Sequence, residues 1–182
     1  AEFDKGYINA FNVSNDAYAF GFAYGVADMK TTIAASSVTL QPNFKIFVDE
    51  AANTAWFNNG PAVVYIEGSS FAEPSGLNDS DLTFEGNVSA FSIDSGYKVV
   101  AFIKALDPNN NWTTITNEST ELTATGDFSV SATAAQLAAG MLIQYGFSVT
   151  GVPADPANES ALGSVVVGEK ATASIDDVLF DG

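Results

Sequence analysis

The chain has no Cys and no His, and its 6 basic residues are all Lys, so Arg is absent too. Each absence removes a class of chemistry. Without Cys there is no disulfide framework, no thiolate nucleophile and no zinc or iron–sulfur thiolate site. Without His there is no Ser-His-Asp triad, no imidazole metal ligand and no general base with an ordinary pKa near neutrality. Without Arg there is no bidentate fork for phosphate or guanine. Positive charge is scarce as well: 22 Asp and Glu leave a formal net charge of −16. That balance is wrong for a polyanion, so neither nucleic acid nor an anionic membrane surface is expected as a partner. The sequence has no apolar run of about 18 residues, so no transmembrane helix and no membrane insertion are expected. What remains is hard-cation binding through oxygen, carboxylate chemistry or recognition of a neutral ligand.

The acidity does not imply disorder. Disordered acidic chains are poor in aromatic residues, whereas this one is 47% hydrophobic and 12% aromatic, with 14 Phe. At 182 residues it is long enough to bury one sizeable core, and a single domain over residues 1–182 is expected. The chain does not open on a basic region followed by an apolar one, so any signal peptide is expected to have been removed. A secreted, extracellular or cell-surface location follows as an expectation.

The dominant pattern is period two. Tyr18, Phe20, Phe22, Tyr24 and Val26 alternate with Ala and Gly; Leu82, Phe84, Gly86 and Val88 alternate with polar residues; Ile143, Tyr145, Phe147 and Val149 do likewise. Each reads as a strand with one face inward. Residues 97–106 are apolar on both faces and read as a central strand covered on both sides. Further strands are expected at 5–13, 29–40, 43–49, 62–67, 128–131, 165–167 and 170–180. Turn signals such as Asn59-Gly60-Pro61 and Asp107-Pro108-Asn109 separate them. The sum is an all-β fold, an antiparallel β-sandwich with at most one short helix, placed at 133–139.

Four features bear on function. In the terminal strand Asp177 is in phase with Ala171, Ala173, Ile175 and Leu179, which turns its carboxylate toward the core side. A buried carboxylate needs a partner. Calcium, which takes oxygen ligands, is one answer; backbone N–H groups at a strand end are the other. Trp112 lies in Asn109-Asn110-Asn111-Trp112, a polar loop that can hardly bury it, and Trp56 also sits beside a turn. Each reads as a recognition residue, with Trp56 equally suited to fold back over the core. Aromatic rings with nearby polar groups suit the flat C–H faces of sugars, and Asn amides such as Asn111 suit their hydroxyls. In the ladder from Tyr18 to Tyr24 the aromatics lie in the core with a floor of small residues outside, or they form the platform themselves. Glu67 and Glu85 lie on expected strands and could pair as glycosidase carboxylates do, but nothing else points to catalysis and no enzyme activity is expected.

The segments Leu82–Val88, Gly96–Asp107, Gly126–Val130, Ile143–Gly151 and the closing Ile175-Asp176-Asp177-Val178 resemble, in order and hydrophobic pattern, jelly-roll carbohydrate-binding modules of the family 4, 9, 16 and 22 type. The likeness is strongest to modules attached to marine bacterial β-glucanases such as laminarinases. It implies a jelly-roll sandwich that binds a polysaccharide and is tethered to a catalytic or surface domain. It also implies a structural Ca2+ held between the N-terminal and last strands, which assigns Asp177 together with Glu2 and Asp4, or with Asp49 and Glu50. The ligand implied is a neutral β-1,3- or mixed-linked glucan, contacted by Trp112, Trp56, Asn111, Tyr24 and Tyr18. A calcium-stabilised adhesive sandwich is the alternative.

Overall fold

A computed structural model describes residues 3–170. Two antiparallel sheets carry the fold. The first half of the chain supplies β1 (Lys5–Asn12), β2 (Tyr18–Tyr24), β3 (Thr31–Ile33), β4 (Ser37–Leu40) and β5 (Val64–Ala72). The second half supplies β6 (Leu82–Phe91), β7 (Lys98–Asp107), β8 (Thr113–Leu122), β9 (Gly126–Ala132), β10 (Leu142–Gly151) and β11 (Val165–Gly168). One sheet has six strands in the order β2-β1-β5-β10-β7-β8 and the other has five, β3-β4-β11-β6-β9. Helix is confined to two short pieces, α1 (Lys45–Glu50) and α2 (Glu159–Leu162), and two 3-10 turns. The fold is a β-sandwich. Among the described residues no helix is long and apolar enough to cross a membrane.

Alternation builds the core. Val99, Ala101, Ile103 and Ala105 of β7 and Ile143, Phe147 and Val149 of β10 face Val88, Phe128, Val130, Val165 and Val167 of the other sheet. Phe84 anchors this layer, with its ring centroid 5.1 Å from Phe147 and 5.6 Å from Phe128. A second cluster lies under β1 and β5, where Ile8, Ala10, Val64 and Ile66 meet Met29, Ile46, Trp56 and Phe57. There α1 and the segment after it, rather than a strand of the second sheet, close the inner face. Among the described residues the six-stranded sheet is thus covered on one side only, and its outer face is open.

Several local expectations are corrected. Residues 43–49 are not a strand. The Asn43 side-chain Oδ1 accepts the Ile46 N–H at 3.0 Å and its Nδ2 donates to the Asp28 backbone carbonyl at 2.8 Å. These bonds start α1, and burial of Ile46 holds it. Residues 133–139 form turns rather than a helix. The N–H groups of Ala134 and Ala139 are taken by the carboxylates of Asp81 and Asp79 (2.7 and 3.0 Å), and the Thr133 N–H by Gln136. Residues 29–40 split into the pair β3–β4. The strand at 97–106 is covered on its inner face, but its outer residues line an open groove. The expected strand at 170–180 lies outside the described residues, apart from Lys170.

Candidate functional site

Pairing register decides which side chains reach the open face. Tyr7 and Asn9 of β1 stand opposite Ser69 and Glu67 of β5. These in turn stand opposite Ser148 and Thr150 of β10, while Gln144 and Gly146 face Lys104 and Phe102 of β7. A groove of about 990 Å³ crosses this face near one end. It touches every strand of the sheet, from Ala23 and Tyr24 on β2 to Thr114 on β8. Its floor is close-packed because Gly146 lies between Phe71 and Phe102 in register. A Cβ on Gly146 would fall 2.7 Å from the Phe71 Cα, so only Gly allows the two strands this approach.

Tyr7 and Tyr18 form one wall. The pairing shifts between Ala10, opposite Phe20, and Phe11, opposite Tyr18. This irregularity places one extra residue, Ala19, in β2 and turns Tyr18 to the outer face. Phe20 and Phe22 stay on the inner one. Tyr18 is 58% exposed and Tyr7 37%. Both hydroxyls lie over Gly21, 2.8 and 2.9 Å from where its Cβ would stand. Partial burial, with the adjacent hydrogen-bonded Tyr18 hydroxyl, holds the Tyr7 phenol above its ordinary pKa. Tyr24 at the groove's end is raised by burial first and by the nearby Glu50 carboxylate next.

Trp112 marks the opposite end. The Asp107 carboxylate accepts the Asn109 N–H at 2.9 Å, and the Asn110 carbonyl accepts both the N–H and the hydroxyl of Thr113 (3.0 and 2.6 Å). This closed turn holds Asn111 and Trp112 in left-handed conformations, with φ of 50° and 57°. That region is an outlier for a bulky side chain. The result is an indole 57% exposed at the lip of the groove.

Most charges on this face are paired. Lys104 reaches the Glu67 carboxylate at 3.1 Å while standing 4.5 Å above the Phe102 ring. Asn9 donates to the same oxygen at 3.4 Å. Glu73 takes Gln144 at 2.9 Å and Lys5 at 3.6 Å. Further along, Lys98 meets Glu121 at 3.1 Å. Three of the chain's 6 Lys therefore neutralise acids on one face of a molecule whose net charge is −16.

The structure brings three of the expected contact residues, Trp112, Asn111 and Tyr18, together on the outer face; Tyr24 borders the groove but stands opposite the inward Gly6 and packs against the second cluster. The structure corrects the fifth. Trp56 is 4% exposed, with its ring centroid 4.8 Å from Phe20 in the second cluster. Glu67 and Glu85 do not pair. Glu67 stands on the outer face of the six-stranded sheet, paired to Lys104, whereas Glu85 lies on β6 of the other sheet, bonded to Lys170. Of the expected calcium ligands, Asp4 stands exposed at the groove's edge, while Glu2 and Asp177 lie outside the described residues. Asp49 is engaged by Lys45 at 2.7 Å and Glu50 by Asn53 at 2.8 Å. Among the described residues no group of three or more Asp or Glu is placed to hold a metal. Sequence reasoning missed Tyr7, Asn9, Gln144 and Lys104. The alternation of Gly6, Ile8 and Ala10 inward with Tyr7 and Asn9 outward was the available signal. No protein-family model, curated protein or solved structure matches the chain.

Proposed function

We propose that the protein is a non-catalytic carbohydrate-binding module. It holds a neutral polysaccharide, best matched by a β-1,3- or mixed-linked glucan, along the outer face of the six-stranded sheet. The observation that carries this reading is the convergence of Tyr7, Tyr18 and Trp112 around a floor of Asn9, Gln144 and Ser69, beside the paired charges Lys104–Glu67 and Lys5–Glu73. Aromatic faces take sugar C–H surfaces, and amides and hydroxyls take sugar hydroxyls. A groove whose two lysines are each cancelled by an acid, in an acidic molecule, favours an uncharged ligand and disfavours anionic glycans. Passage of the chain between sheets from β5 through β6 to β7, and again from β8 through β9 to β10, supports a jelly-roll reading. In this account the module acts outside the cell, tethered to a glycoside hydrolase or surface protein, and raises the local concentration of its partner on the polysaccharide.

The experiment is a calorimetric titration of Trp112→Ala with a soluble β-glucan. The expected result is an affinity about tenfold or more below wild type, with the unfolding midpoint unchanged. A variant that keeps its affinity and loses only stability would favour the adhesive sandwich instead. Structural Ca2+ remains part of the proposal, with Asp177 and Glu2 completing a site at Asp4. Chelation is expected to lower the melting temperature by several degrees through mass action, and an unchanged melting curve removes calcium from the account.

A further inference from the structure

The outer face holds a second depression beyond the groove. Lys104 and Phe102 line both spaces, Asn9 lies on the side of the main groove and Glu67 on the far side. The contacts from Asn9 to Glu67 and from Glu67 to Lys104 therefore form a bar between them. Lys104 and Glu67 are not register partners, since Lys104 stands opposite Gln144 and Glu67 opposite Thr150. They lean toward each other over the Phe102 ring, and both side chains are largely buried (17% and 29% exposed). The bar is thus a fixed part of the floor rather than a solvated pair.

The far space is about 310 Å³, at the small end of ligand pockets, which run from about 300 to 1,000 Å³. Phe11 and Tyr65 stack at its side, with ring centroids 5.3 Å apart and planes 18° from parallel. Asn117 and Ser119 of the edge strand β8, with Ser148 and Thr150 of β10, line the rest. The chemistry repeats that of the main groove: an aromatic wall facing amides and hydroxyls, with Lys104 and Lys98 each paired to an acid. Its volume suits one sugar ring, and its shared boundary places that ring beside a chain lying in the groove.

We propose that this depression is a subsite for a side branch, so that the ligand is a neutral glucan carrying single-residue branches on its backbone. The inference rests on the glucan reading above. Its test compares two β-1,3-glucans of matched length, one unbranched and one with glucosyl side branches, by titration against wild type, Tyr65→Ala and Asn117→Ala. Asn117 is exposed on β8, so its variant folds even where loss of the Tyr65 stack disturbs packing. Wild type should bind the branched glucan about tenfold more tightly, and both variants should bring it down to the affinity of the unbranched one. Equal wild-type affinities, equal losses on both ligands, or two unbranched chains bound per protein would each overturn the subsite. Binding of neither glucan would overturn the glucan reading itself.

Discussion

A tryptophan held in a left-handed backbone conformation carries a strain of about 1–3 kcal/mol, and exposing its indole forgoes the burial that ordinarily offsets such strain. Trp112 does both at the edge of a groove, where the proposed function gives it a ligand to meet. Trp56 is its opposite, packed edge-on against Phe20. Trp56→Ala is expected to lower the unfolding free energy by about 3–5 kcal/mol, read by denaturant titration. Loss of less than about 1 kcal/mol would contradict its place in the core. The difference between the two was half legible. Asn109, Asn110 and Asn111 before Trp112 leave it no apolar surroundings, so its exposure follows from neighbours in sequence. The burial of Trp56 depends on contacts with β2 and the β5 region, which no local pattern records.

At the scale of elements, strands with an apolar face were readable because alternation and burial share one period. This holds for β6, β9 and β10. The edge strand β8 was missed because Thr113–Leu122 buries only Thr116 and Leu122, too few to mark a face. The segment at α1 was misread because hydrogen bonds of one side chain, Asn43, outweighed a run of residues compatible with either state. The most consequential hidden feature is the irregularity in β2. A continuous ladder would put Tyr18 in the core with Phe20, and the inserted Ala19 puts it on the outer face instead. Gly21 then matters as the space over which the Tyr7 and Tyr18 hydroxyls meet. Gly21→Ala is expected to displace both rings and weaken glucan affinity about tenfold, while near-UV circular dichroism reports the altered tyrosine environment. An unchanged affinity would detach the tyrosine pair from binding.

At the scale of the whole molecule, the described residues leave one face of one sheet uncovered, and the few cations are distributed unevenly. Most of the 22 acids serve solubility and exclude polyanions. Lys5 and Lys104 cancel acids at the groove, and Lys98 cancels Glu121 further along the same sheet. The absence of Arg and His had already narrowed the chemistry to rings, amides and carboxylates; the structure adds that these converge, and where. Affinity electrophoresis tests the central claim most directly, with the intact chain run through native gels containing either a neutral β-1,3-glucan or an anionic glycan such as alginate. The account predicts strong retardation by the first and none by the second. Free migration through every neutral glucan, with retardation by the anionic one, would contradict it.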